Sequence, residues 1–418
     1  MSKLRTWIEL RLPIFNAYRQ HFSQYPIPKN LNIWYVFGVL AILVLLNQLL
    51  TGISLAMNYV PSTEGAFASI EYIMRDVDYG WLLRYLHSTG ASALFIILYL
   101  HIFRGFLYGS YHQPRELVWV FGMLLFLILM AEAFMGYLLP WGQMSYWGAQ
   151  VITSLLGAIP FIGDDLMLWI RGDYVISGVT LNRFYALHII GLPLVMLLLV
   201  ILHLVALHQV GSSNPEGTET RLPKGQGSKD KNEPSFTFHP HYVKQHDIVD
   251  SIPLHPYGTV KDLVAIAVFL LLFCSVVFFA PDLAGYFLEP ENAIIADPSI
   301  TPEHITPAWY FTPFYTILRA IPDKLGGAIL MGSSISLLFF IPWLDRSKIR
   351  SIRYRSALYR WNLFQFSLCF IALGVLGVLP ITPCYLWLSR LFCLGYFLFF
   401  VVLFIESRRS TVLNHPDK

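Results

Sequence analysis

Four histidines carry the chemistry this sequence can do. His87 and His101 are 14 residues apart, His188 and His203 are 15 apart, and both pairs lie inside long apolar stretches. An ionisable side chain in a bilayer is costly, so an intramembrane imidazole calls for a function. Along an α-helix, 14 residues return to within about 40° of one face and rise about 21 Å, while 15 return to within about 60° and rise about 22 Å. Each helix thus presents two imidazoles on roughly one face at two depths. If the two helices face one another, depth pairs His87 with His188 and His101 with His203. Two imidazoles facing across a bundle core are the axial ligands of a low-spin haem. Hydrogen-bonded core histidines are the plainer alternative. Zinc fits less well, because the separation within each helix keeps four ligands from converging and no Cys or carboxylate completes either level.

Glycines repeat the spacing. Gly38 and Gly52, like Gly122 and Gly136, are 14 apart, and a haem edge needs a close backbone approach that a Cβ would block. Arg84, three residues before His87, and Arg104, three after His101, stand where cationic heads reach haem propionates; helix-end snorkelling is the alternative. The four cysteines form no C-x-x-C, and three lie inside apolar blocks, so they read as small core residues. No phosphate-binding Gly-rich loop, Walker lysine or basic aromatic groove for nucleic acid is present.

The elements that hold these residues follow from composition. Of 418 residues, 56% are hydrophobic and 13% charged, with mean hydropathy +0.55. That excludes an ordinary soluble domain. Eight apolar blocks are long enough to cross a bilayer as helices: Trp34–Met57, Trp81–Leu107, Leu117–Leu139, Leu181–Leu207, Val260–Ala280, Leu325–Trp343, Leu358–Leu379 and Tyr385–Ile405. If the N-terminus is cytoplasmic, that side holds 22 of the 29 Lys and Arg residues, which places both termini in the cytoplasm. The opposite loops are acidic, with clusters at Asp164, Asp165 and at Glu289, Glu291, Asp297.

The four histidines together with GYLLPWGQMSYWGAQVITSLLGAIPFIG from Gly136, RFYALH from Arg183 and TPAWYFTPFY from Thr306 closely resemble cytochrome b, the core subunit of the quinol:cytochrome c reductase complex, in its bacterial single-chain form. The likeness runs from about Trp34 to the eighth block. The 15-residue step from His188 to His203 departs from the mitochondrial 14 by an extra residue near Gly191. The resemblance implies an all-α polytopic fold of eight transmembrane helices, the first four forming a di-haem four-helix bundle. It divides the chain into a cytoplasmic N-terminal segment 1–33, the bundle 34–210, a cytoplasmic loop 211–259, and a C-terminal membrane region 260–418 with an external loop 281–324.

It also implies two non-covalent haem b groups, with His87 and His188 holding the outer one and His101 and His203 the inner one. Quinol would be oxidised outside, among Phe134, Tyr137, Gly148 and the segment holding Pro307, Trp309, Tyr310 and Tyr315. Quinone would be reduced on the cytoplasmic side, at His208, Ser212 and Asp262, coupling electron transport to proton translocation. Implied partners are a Rieske iron–sulfur protein, a membrane-anchored cytochrome c-type subunit and a second copy of the chain. The implied location is the inner (plasma) membrane of a bacterium, with membrane lipid around the chain and no nucleic acid.

The chain departs from its family at one motif position. The family's Pro-Glu-Trp-Tyr reads Pro307-Ala308-Trp309-Tyr310, so the glutamate assigned a quinol proton is missing. Glu132, inside the third block and two residues before Phe134, is a carboxylate at depth and the expected substitute; Tyr137 or ordered water is the alternative. The 208–260 loop is longer than the family's, and its added His239, His241 and His246 read as solvent-exposed, in a stretch whose start, from Gly211 to Pro234, looks mobile. A di-haem anchor serving another oxidoreductase explains the histidines but not the long external segments Trp141–Gly163 and Asp282–Lys324. A transporter would show broken helices or inverted repeats, and neither is evident.

Overall fold

In a computed structural model, residues 3–218 and 251–412 are described. Among the described residues, seven helices are long and apolar enough to cross a membrane: Ile33–Ala56, Gly80–Tyr108, Glu116–Leu138, Gly178–Val210, Leu254–Phe279, Ala357–Val378 and Pro383–Arg409. These are the first to fifth, seventh and eighth spans. A shorter apolar helix, Lys324–Phe339, occupies the sixth place. Its 16 residues reach about 24 Å, less than the block Leu325–Trp343 suggested. The chain stops at Phe340 and restarts as the turn Ile341–Leu344, because Pro342 has no N–H to give a continuing helix.

Apolar side chains make these segments membrane-compatible, but polar ones set their approach. Asn47 and Gln48 of the first span donate to the main-chain oxygens of Leu86 and His87 in the second, each at 2.9 Å. They fit because Gly90 faces them, where a Cβ would lie 2.1 Å from Gln48 Oε1. The first span packs on the second and the third on the fourth, giving the four-helix arrangement in which both histidine-bearing helices face inward.

The C-terminal helices wrap the other side of the second span. Phe366 stacks on Phe399 with centroids 4.2 Å apart, and Tyr359 Oη donates to Phe106 O at 2.8 Å. Near the short turn at Ile341–Leu344, a buried ionic cluster joins two loops. Arg355 Nη2 lies 2.9 Å and His112 Nε2 3.4 Å from Asp345 Oδ2, which also accepts from Tyr111 Oη at 2.7 Å. Burial pushes the Asp345 carboxyl up, but His112, Arg355 and Tyr111 outweigh it and hold it below the ordinary carboxylate value.

The far end is closed by a seam between the two long interhelical segments. Gln143 N donates to Ile294 O at 2.9 Å, Asp297 N to Gln143 Oε1 at 2.7 Å, and Ser145 N to Asn292 Oδ1 at 2.8 Å. Gly142 permits it, since a Cβ there would stand 2.8 Å from the Asn292 main chain. At the opposite end Pro26–Pro28 pairs antiparallel with Ser251–Pro253, tying the N-terminal segment to the start of the fifth span. The end of the expected loop is therefore ordered, while His239, His241 and His246 lie outside the described residues.

Candidate functional site

The structure brings the four histidines together in the two pairs that depth suggested. The His87 and His188 rings face one another with centroids 6.2 Å apart, and His101 and His203 at 6.5 Å. Both separations are too long for ring stacking contact and leave room for one ion between facing nitrogens, at about 2 Å from each. In the first pair the tautomers are set. Thr51 Oγ1 donates to Asn47 O at 2.6 Å, so it accepts from His87 Nδ1 at 3.0 Å. His188 Nδ1 donates to the main-chain oxygen of Glu132 at 2.9 Å, and Glu132 Oε1 lies 3.1 Å away. Both Nε2 atoms keep their lone pairs for a ligand.

The glycines are cut to these rings. A Cβ at Gly52 would lie 3.1 Å from His87 Cε1, at Gly136 2.4 Å from His188 Cε1, at Gly122 3.3 Å from His203 Cε1, and at Gly38 3.5 Å from His101 Cε1. What stands against each glycine is thus the imidazole itself, where the spacing had suggested a macrocycle edge. Arg84 lines the cavity of the first pair. Arg104 Nη1 donates to Ser110 Oγ at 3.0 Å, while its buried Nε makes no hydrogen bond, leaving a cationic donor for an anionic group. Among the described residues no three His, Cys, Asp or Glu side chains converge as a metal site. The donor set, two facing imidazoles at each level, fits the haem groups that the sequence resemblance implies, which His87 with His188 and His101 with His203 would hold.

The 15-residue step in the fourth span is resolved by a π-type turn over Leu187–Gly191, after Gly178–Ala186 and before Leu192–Val210. One such turn absorbs one residue, so His203 faces as though it were 14 from His188. The 60° offset expected of a regular helix does not arise.

Beside the first pair lies an apolar pocket lined by Phe134, Gly148, Pro307, Phe311 and Tyr315 among others. Four of the residues expected at the quinol site meet there. Tyr137 forms the partition: a Cβ at Gly148 would lie 3.8 Å from Tyr137 Cε1, yet Tyr137 lines the histidine cavity, together with Glu132, Glu289, Ala308, Trp309 and Tyr310. Trp309 Nε1 donates to Ser92 Oγ at 3.0 Å, and Tyr310 stacks on Phe95 at 4.0 Å, so both anchor the segment. Glu132 does not line the apolar pocket; its carboxylate turns to His188.

On the inner side His208 Nδ1 donates to Leu204 O at 2.8 Å, and its ring lies 4.7 Å from Tyr25 and 6.1 Å from His21. Ser212 presents its main-chain oxygen to Arg115 at 3.5 Å. Asp262 is in the first turn of the helix Thr259–Phe279, where a carboxylate is favoured. The N-terminal segment lies between His208 and that helix, through Tyr25 O, which accepts from Leu254 N at 2.8 Å. Residue spacing held no sign of His21 and Tyr25 at this site, since they come from a segment outside every apolar block. Thr51 was equally hidden, being one more small polar residue in an apolar helix.

The family described as Cytochrome b/b6/petB matches residues 22–211, and Cytochrome b(C-terminal)/b6/petD matches residues 295–397. Together they cover both histidine helices and the Pro307–Tyr315 segment. The chain belongs to the cytochrome b family. A cytochrome b of Allochromatium vinosum is 51% identical over 99% of this chain and 97% of that one, and a cytochrome b of Rickettsia prowazekii is 49% identical over 95% and 92%. A longer Bradyrhizobium diazoefficiens protein, named cytochrome b/c1, is 43% identical over 98% of this chain and 56% of its own length. A solved structure titled Hyperthermophilic respiratory Complex III matches with TM-score 0.85 and 37% identity, over 97% of this chain and 99% of that chain. As a cytochrome b of complex III type, the chain is a membrane electron-transfer protein of the respiratory chain, with haem b as its family's cofactor.

Proposed function

We propose that this chain is the catalytic membrane subunit of a bacterial quinol:cytochrome c reductase, oxidising quinol at one membrane face and reducing quinone at the other, with net proton translocation. The observation that carries the reading is that an apolar pocket shares its Tyr137 wall with the cavity of the His87 and His188 pair, while a second facing pair, His101 and His203, lies 14 and 15 residues further along the same two helices. Two b haems held by these pairs would supply one-electron transfer across the membrane.

The chain's own residues do the rest. His87 and His188 present Nε2 because Thr51 and the Glu132 main chain take their Nδ1 protons. Arg84 and Arg104 would neutralise the propionates of those groups. Phe134, Gly148, Pro307 and Tyr315 bind the quinol ring by apolar contact and exclude water. His208, Asp262 and Ser212 orient quinone on the inner side, His208 and Asp262 supplying protons. The termini are cytoplasmic and the seam at Gly142 external. The outer electron acceptor is a Rieske iron–sulfur protein, followed by a membrane-anchored cytochrome c-type subunit, and the chain works as a homodimer in the plasma membrane. A reduced-minus-oxidised spectrum with redox titration tests the reading. Two b-type haems reduced by quinol are expected; absence of b-type haem overturns it.

A further inference from the structure

Ala308 leaves an external quinol site without the carboxylate of its motif, and its buried methyl group neither binds nor relays a proton. The cavity that Ala308 lines holds a carboxylate from elsewhere. Glu289 lies on the loop between the fifth span and the Pro307–Tyr315 segment and lines the same cavity, with Asn292 beside it and Tyr137 opposite from the third span. The loop is fixed there. Phe287 stacks on Trp309 with centroids 6.2 Å apart. Asn292 Oδ1 accepts from Ser145 N at 2.8 Å, and Asn292 Nδ2 donates to Glu289 Oε2 at 3.3 Å. Tyr137 Oη is buried and makes no hydrogen bond, although Asn292 and Glu289 are the polar side chains it interacts with. A buried hydroxyl without a partner costs free energy unless a ligand completes it.

We propose that Glu289 accepts the proton released by quinol, passed through the Tyr137 hydroxyl, in place of the carboxylate absent at position 308. The inference rests on the reading of the external cavity as a quinol-oxidising site. The quinol O–H bond breaks as its proton joins the Tyr137 oxygen. The Tyr137 proton moves to a Glu289 carboxylate oxygen, forming the acid. The quinol's other proton leaves with the electron taken by the iron–sulfur partner, the second electron leaves towards the His87 and His188 pair, where a bound haem would accept it, and Glu289, half-buried at the loop surface, returns its proton to water. Burial raises the Glu289 carboxyl above the ordinary range, Glu291 adds to that, and the neighbouring Tyr137 and Asn292 side chains moderate it. Tyr310 and Tyr137 are the other titratable groups interacting with it, and Arg84 lines the same cavity. A carboxyl so placed titrates closer to neutrality, where a proton acceptor works best.

The test uses the assembled complex in native membranes, with a short-chain quinol as donor and cytochrome c as acceptor, for wild type, E289Q, E289D and the double variant E289Q/A308E. E289Q is expected to slow turnover about 100-fold with both haems present, and to lose the rise in rate with pH. E289Q/A308E is expected to recover most of the rate. A rate and pH profile of E289Q superimposable on wild type, with haem content intact, overturns the proposal. If E289Q loses haem, E289D carries the comparison: a displaced pH profile supports the assignment and an unchanged one overturns it. Wild type that fails to oxidise quinol overturns the functional reading itself, a result distinct from failure of Glu289 alone.

Discussion

His188 Nδ1 lies 2.9 Å from the main-chain oxygen of Glu132 and 3.1 Å from its side-chain Oε1. One N–H is thus shared between an acceptor no substitution removes and one a substitution can. Replacing Glu132 by Gln leaves the ring oriented and removes the ionisable group behind it. E132Q is expected to keep outer haem content and to raise that haem's midpoint potential, by about 60 mV for each tenfold change in relative affinity for the two oxidation states. Redox titration of the b haems measures it; an unchanged potential means the carboxylate is neutral there.

The glycines predict a ranking. Added methyl groups would meet imidazole Cε1 at 2.4 Å at Gly136, 3.1 Å at Gly52, 3.3 Å at Gly122 and 3.5 Å at Gly38. Overpacking of this kind costs about 1–3 kcal/mol. Haem b content should fall in that order, G136A losing the outer haem and G38A close to wild type. Pyridine haemochrome assay against protein content checks it.

Thr51 is the acceptor for His87 Nδ1. Loss of such a ligand-orienting bond costs about 10–100-fold in affinity. T51V is expected to shed the outer haem during mild detergent washing, and T51S to retain it.

The Asp345 and Arg355 pair predicts an acid limit. Because the folded carboxyl is held low, its contribution is complete above the unfolded value of about 3.9 and is lost as pH falls through the lower folded value. R355A leaves a buried charge with less compensation, at about 3–5 kcal/mol. Thermal loss of the haem spectrum should occur at clearly lower temperature in R355A at neutral pH, the difference narrowing on acidification below about pH 4.

What could be read in advance was periodic and local. The histidine and glycine spacings sit in helices that are regular apart from the turn at Leu187–Gly191, and helix pitch converts residue number into face and depth, so the pairs His87 with His188 and His101 with His203 were legible from spacing alone. The Pro307–Tyr315 motif was equally plain. Contacts made by segments distant in sequence were not. The seam of Gln143 with Asp297, the place of His21 and Tyr25 beside His208, and the turn of Glu132 toward His188 depend on how loops and rotamers meet in space. Glu289 was visible only as one of several external acids, and nothing in its neighbours distinguished it from a solvated charge.

The π-type turn at Leu187–Gly191 works as a phase corrector in the fourth span. An inserted residue in a regular helix rotates everything beyond it by about 100°, which would swing His203 and His208 away from their partners. Absorbed in one turn, the insertion leaves the downstream half in its original angular frame. Spacings of 14 and 15 between such histidines therefore describe one coordination geometry in different reading frames of the helix, and counting residues alone is the wrong ruler for comparing them.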